Sequence, residues 1–143
     1  MKKIIFDTSV AFKFFYHKDE KNVQKVIDIF EYVVLNNIKI IEPDIFLYEL
    51  ANFFIRSKKL TESEIKKNFQ LLFRLNLEII NLDQDFILKI SKIAKKYSLT
   101  FYDATYVTLA TSTDTYLITD DREIIDTKLK QVKSIQDFDL SKI

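Results

Sequence analysis

The chain has 143 residues, 48% hydrophobic and 30% charged, with 13 phenylalanines and 7 tyrosines; this suits one bulky-cored domain spanning residues 1–143. A net charge of +1 excludes a global field toward nucleic acid or anionic membrane, so any site for a polyanion must be a local patch. Cysteine and glycine are absent and Pro43 is the single proline, which excludes disulfides, thiolate metal ligands, a glycine loop for phosphate and a dinucleotide fingerprint.

No apolar run approaches the roughly 20 residues of a membrane span. The apolar run in Met1-Lys-Lys-Ile-Ile-Phe-Asp7 is too short for a signal peptide, so a cytoplasmic location is expected. Ile4-Ile-Phe6 is an unbroken apolar run, the pattern of a strand buried on both faces. It stops at Asp7-Thr8-Ser9, and a Phe-rich helix follows to about Tyr16. Its Phe12, Phe14, Phe15 and Tyr16 read as core or dimer interface rather than as a platform for bases. Val23, Val26, Ile27, Phe30, Val33 and Val34 recur at helical spacing. Asn36-Asn37 ends that helix, because positive φ must fall to Asn or Asp where glycine is missing. Ile38 to Ile41 gives a second strand. The loop Glu42-Pro43-Asp44 opens a third helix with Asp44 as N-cap, and Thr61 with Glu64 forms a capping box for a fourth. Leu77 to Ile80 is a third strand. Phe86, Ile90, Ile93, Ala94 and Tyr97 line a fifth helix, and a sixth covers residues 102–112. Strand 116–118, a short helix after Asp121 and a last strand from Val132 to Ile135 complete the chain.

Strands alternating with helices predict an α/β protein: a mostly parallel sheet with helices on both faces. In such folds ligands bind beyond the carboxyl ends of the strands. Asp7 lies just after the first strand, and Asp120 and Asp121 just after strand 116–118. If those strands are neighbours, their acids meet at one edge.

Four acids stand out. Asp7 ends a buried strand. Glu49 is the only charge between Asp44 and Arg56. Asp103 shares a helical stripe with Val107 and Ala110, on the packed side of its helix, and no Lys or Arg lies between Tyr97 and Thr119 to neutralise it. Asp121 follows a strand in Thr119-Asp-Asp121. An ionised carboxylate in an apolar setting is strongly disfavoured unless paired, hydrogen-bonded or bound to a metal. With basic residues scarce and oxygen ligands alone on offer, Mg²⁺ or Mn²⁺ is a simpler resolution than zinc. Each acid also has a plainer role: Asp7 and Asp103 as helix caps, Asp120 with Glu123 as a capping box, Glu49 as a glutamate reaching for solvent. The joint placement of all four points to a site.

These stretches resemble the PIN-domain ribonucleases, in particular the VapC-type toxins of toxin–antitoxin modules. Ile4-Ile-Phe-Asp-Thr-Ser-Val10 is similar to their opening strand and first acid. Pro43 followed by Glu49-Leu-Ala-Asn52 is similar to the second acid and its trailing Asn. Tyr102-Asp-Ala-Thr-Tyr-Val-Thr-Leu-Ala110 matches the third, and Leu117-Ile-Thr-Asp-Asp-Arg122 matches a Thr-x-Asp that assigns the fourth to Asp121. The resemblance implies an α/β/α sandwich around a parallel sheet and metal-dependent cleavage of single-stranded RNA. It also implies a homodimer and a small antitoxin that blocks the site. The doubled acid departs from the family pattern, so Asp120 is left open between metal ligation, helix capping and added charge.

On this reading Asp7, Glu49, Asp103 and Asp121 are the catalytic residues and bind one or two Mg²⁺ or Mn²⁺ ions, directly or through water. Thr8, Ser9, Asn52 and Thr119 are candidates to orient those carboxylates by hydrogen bonds. Arg122 suits either a substrate phosphate or solvent. His17 reads as a solvated loop residue. Among rivals, a phosphatase of the haloacid dehalogenase type needs a second Asp two residues after the first, where this chain has Ser9, and a receiver domain needs an acidic pair near its first strand. The remaining alternative is a PIN-like fold kept as a non-catalytic module that binds nucleic acid or protein.

Overall fold

The apolar runs Ile4–Phe6 and Tyr116–Ile118 become adjacent central strands of one parallel sheet, because short runs apolar on both faces need cover on both sides. The structure, a computed structural model, describes residues 2–16 and 21–143; His17 lies outside the described residues. Strands β1 (Lys3–Phe6), β2 (Lys39–Pro43), β3 (Leu77–Ile80), β4 (Tyr116–Thr119) and β5 (Val132–Ser134) lie in the order β3-β2-β1-β4-β5. All four pairings are parallel. The helices are α1 (Thr8–Phe15), α2 (Val23–Leu35), α3 (Ile45–Arg56), α4 (Glu62–Leu72), α5 (Gln84–Tyr97), α6 (Phe101–Thr113) and α7 (Arg122–Ile125), with a 3₁₀ turn at Leu140–Lys142. They cover the sheet as the outer layers of an α/β/α sandwich. Among the described residues no helix is long and apolar enough to cross a membrane.

Burial follows position in the sheet. Ile4, Ile5 and Phe6 of β1 and Leu117, Ile118 and Thr119 of β4 are buried, whereas the edge strands β3 and β5 are only half-buried. The chain adds β2 and β3 on one side of β1, then crosses back to place β4 and β5 on the other. The order therefore reverses between β1 and β4, and the carboxyl ends of these two strands frame the crevice where such sheets bind ligands.

Local chemistry sets the helix ends. Thr61 and Glu64 form the expected reciprocal capping box. Asp44 stands at the N-cap of α3 but makes no capping bond, and its Oδ1 is buried without a partner. Without glycine, left-handed backbone falls to Asn22, Asn37, Ser98, Asp114 and Lys128; the asparagines and the aspartate suit it, while Ser98 and Lys128 carry a steric cost. Ser98 takes it to end α5 and Asp114 to end α6.

The Phe-rich first helix packs inward. Phe30 lies between Phe6 and Phe14, with ring centroids 4.2 Å from each. Phe12 stacks on Phe53 at 5.1 Å, and Phe15 meets Phe54 edge-on at 5.6 Å. These rings join α1, α2 and α3 to the sheet. Phe30→Ala would empty the centre of this stack and cost about 3–5 kcal/mol, a large share of a small domain's stability. Urea unfolding should show that drop with an unchanged denaturant slope.

Candidate metal centre

Topology brings the four acids toward one edge of the sheet from four elements. Asp7 is the first residue beyond β1, and its amide donates to Ile118 O of β4 at 2.9 Å. Asp121 is the second residue beyond β4. Glu49 lies in the first half of α3, which leaves that edge directly after β2. Asp103 lies in the first turn of α6, which starts at the same edge because it must run back along the sheet before β4 begins.

Asp7 anchors the arrangement. Its Oδ2 accepts the Thr119 hydroxyl at 2.6 Å, and the same Thr119 oxygen accepts the Asp121 amide at 2.9 Å. One threonine thus ties the first acid to the backbone of the last. Burial pushes the Asp7 carboxyl up to about 6; the Thr119 hydroxyl and the Ser9 amide oppose that, while Asp103 and Asp121 add to it by repulsion. Asp7 occupies the N-cap position of α1 without a side-chain capping bond of normal geometry.

Glu49 is half-buried and its Oε1 accepts the Tyr106 hydroxyl at 2.9 Å. That phenol is buried and hydrogen-bonded in turn to Thr8 Oγ1, so Thr8 supports Glu49 through Tyr106. Burial raises the Glu49 carboxyl above its usual range, the Tyr106 bond lowers it, and Asp7 and Asp103 raise it again. Asp103 accepts the Thr100 hydroxyl at 2.8 Å and returns its own amide to Thr100 Oγ1 at 3.1 Å, so the cap of α6 is Thr100. Its carboxyl is raised by burial, lowered by Thr100 and raised by Asp121.

Asp121 is the cap of α7, accepting the amides of Glu123 at 2.8 Å and Ile124 at 3.2 Å, both on Oδ1. The capping box read for Asp120 with Glu123 belongs instead to its neighbour, as a simple cap. Asp120 turns the other way: its Oδ2 meets Lys13 Nζ of α1 at 3.0 Å and Asn22 Nδ2 at 3.3 Å. Lys13 is almost buried there, so Asp120 carries a neutralised charge. Asn52 and Arg122 are exposed, and among the described residues no hydrogen bond joins Asn52 to the acids.

Repulsion links Asp7 with Asp103 and Asp121, Glu49 with Asp7 and Asp103, and Asp103 with Asp121. Among the described residues none of the four is paired with a lysine or arginine. Also among the described residues, no three acidic or histidine side chains are gathered into a set that holds an ion as they stand. Oxygen-only, unneutralised donors fit a hard divalent cation.

Three residues escaped the sequence reading. Glu42 belongs to β2, not to a loop; it is fully buried and its Oε1 accepts the Phe6 amide at 2.7 Å. Burial holds its carboxyl well above the usual range, the Phe6 amide lowers it, and Asp7 and Glu49 add repulsion. Its one legible signal was an acid directly after the strand Ile38 to Ile41. Lys13 and Tyr106 sit in helices dense with apolar residues, and nothing local marks them.

An all-parallel α/β/α sandwich with acids collected where the strand order reverses defines a class of protein. The sequence model of the PIN domain matches residues 4–130, and the chain belongs to the PIN domain family. A comparison with curated protein sequences finds no match. Among solved structures, PAE2754 from Pyrobaculum aerophilum is similar with a TM-score of 0.70 at 18% identity, over 94% of this chain and 85% of that one. A toxin–antitoxin complex from Klebsiella pneumoniae gives 0.69 at 17% identity, over 92% of this chain and 97% of that one. VapBC2 from Rickettsia felis, bound to a DNA fragment from their promoter, gives 0.68 at 16% identity, over 92% and 98%. At these identities the likeness is one of fold.

The raised Asp7 carboxyl links the centre to stability. A carboxyl near 3.8 in the unfolded chain and about 6 in the folded one binds more protons when folded. Its favourable contribution is complete below the unfolded value and is lost as pH rises through the folded one. Metal-free Asp7→Asn should therefore be more stable than wild type at pH 7.5, and the gap should shrink toward pH 4 in urea titrations.

Proposed function

We propose that the chain is a metal-dependent endoribonuclease that cleaves single-stranded RNA and is the toxin of a VapBC-type toxin–antitoxin pair. The observation that carries this is the group of four unneutralised carboxylates that repel one another at one edge of the sheet. Membership of the PIN domain family and the likeness in fold to two toxin–antitoxin complexes support it. A small antitoxin is the inhibitory partner, and the toxin works as a cytoplasmic homodimer. Exposed Tyr48, Phe53 and Ile55 on α3 offer apolar surface for such contacts.

In this reading Asp7, Glu49, Asp103 and Asp121 hold one or two Mg²⁺ or Mn²⁺ ions. When bound, a divalent ion supplies a water of lowered pKa and neutralises charge on the scissile phosphodiester. Thr119 holds Oδ2 of Asp7 and so orients its carboxylate. Tyr106 does the same for Glu49, and the α7 amides, both on Oδ1, do so for Asp121. Thr100 steadies Asp103. Because burial raises the Asp7 carboxyl to about 6, metal uptake there releases a proton on the acid side of neutrality.

The rival module reading draws on the spread of the acids, which do not form an ion-holding set as they stand; calorimetry showing no Mn²⁺ uptake would favour it. RNA cleavage should require Mg²⁺ or Mn²⁺ and stop in EDTA, and Asp103→Asn should lower it by about 100-fold or more. Undiminished cleavage in EDTA, or by Asp103→Asn, sinks the metal role. The doubled acid gives a sharper comparison: Asp121→Asn should lose cleavage, whereas Asp120→Asn should keep it within about threefold and instead lower the unfolding midpoint, by leaving Lys13 without its charge partner.

A further inference from the structure

Glu42 is the one acid in the sheet whose presence the fold does not explain. It is fully buried, and its Oε2 has no hydrogen-bond partner. A buried polar atom left unsatisfied costs stability, and an apolar side chain of the same shape would avoid that cost. Such a group persists where it does something else. Its place in the sheet shows what. The β1–β2 ladder pairs Lys3 with Lys39 and Ile4 with Ile40 and then stops. On its other side β1 stays paired with β4 through Phe6 and Ile118, and the Asp7 amide continues to Ile118 O. β1 thus leaves β2 just before the acid it carries. Extending the register places Glu42 opposite Phe6, and the Glu42 carboxyl takes the Phe6 amide at 2.7 Å in place of a backbone bond.

We infer that Glu42 is a positioning residue: wedged where β1 and β2 part, its carboxyl holds the Phe6 amide and so sets the strand end from which Asp7 projects. The inference rests on the reading of Asp7 as a metal ligand. Repulsion from Asp7 and Glu49 places the wedge beside both acids, and Tyr106, which holds Glu49, senses its charge as well.

The test uses full-length wild type, Glu42→Gln and Glu42→Leu. Gln keeps an oxygen for the Phe6 amide, and Leu keeps volume without one. Two measurements are made: hydrogen exchange at the Phe6 amide in metal-free protein, and Mn²⁺ affinity by calorimetry. The expected result is slow exchange in wild type and Glu42→Gln and clearly faster exchange in Glu42→Leu. Mn²⁺ should bind Glu42→Leu about tenfold more weakly than wild type, as losses of orienting partners commonly produce, although the unfolding midpoint of Glu42→Leu is no lower. A merely structural glutamate predicts the opposite coupling, with affinity falling only as far as stability falls. Wild-type Mn²⁺ affinity or wild-type Phe6 exchange in Glu42→Leu overturns the proposal, as does a Glu42→Gln as impaired as Glu42→Leu. If wild type takes up no Mn²⁺, the metal reading fails by itself, and the exchange comparison alone then sustains or overturns the wedge. Should Glu42→Leu not fold, Glu42→Met replaces it with the same outcomes.

Discussion

One hydroxyl joins the two halves of this molecule. Thr119 donates to Asp7 across 112 positions of sequence and, with the same oxygen, accepts the Asp121 amide. A hydroxyl offers one donor and two acceptor sites, so a single side chain can make both bonds. The β-branch of threonine restricts its rotamer and so fixes the direction of that donor. Parallel pairing of β1 with β4 brings the strand ends together; the threonine converts proximity of strands into a defined placement of acids. Asp103 and Glu49 are then placed relative to that joint by α6 and α3, each secured by its own hydroxyl partner, Thr100 or Tyr106.

This arrangement opposes the stability of the fold. Burial and repulsion both raise the carboxyls of Asp7, Glu49 and Asp103, and Glu42 adds a buried acid behind them. Groups with perturbed proton affinity concentrate where chemistry is done, and they persist because stability is recovered elsewhere. Here the recovery is aromatic and aliphatic. Phe6, at the end of β1, stacks on Phe30 one residue before Asp7. The same strand end therefore carries a strong core contact and a disfavoured charge, and the first keeps the second in place.

The alternation of strands and helices was legible because burial leaves a local record: Ile4-Ile-Phe6 and Tyr116 to Ile118 read as covered strands, and Thr61 with Glu64 read as a cap. The four acids were legible for the same reason, as charges that interrupt apolar segments. What was hidden lies in bonds that cross between elements. Glu42 reaches Phe6 across 36 positions and Thr8 meets Tyr106 across 98, and no periodicity within either segment encodes such a partner. Glu42 next to Pro43 looks like the start of a turn, yet β2 runs through both residues. Asn52 follows Glu49 by three residues, which keeps both near one face of α3, and it is exposed while Glu49 is half-buried.

The two adjacent aspartates show how local reading and long-range contact combine. The stretch without Lys or Arg before Thr119 left the acids at this edge looking uniformly unpartnered. A cation does arrive, Lys13 from α1, 107 positions away, and among the described residues it pairs with Asp120. Side chains of consecutive residues leaving a strand point to opposite sides, so an ion pair on one does not reach the other. Had Lys13 met Asp121 instead, the centre would lose one of its four uncompensated charges. Three consecutive residues therefore divide three tasks: Thr119 fastens Asp7, Asp120 fastens α1, and Asp121 caps α7.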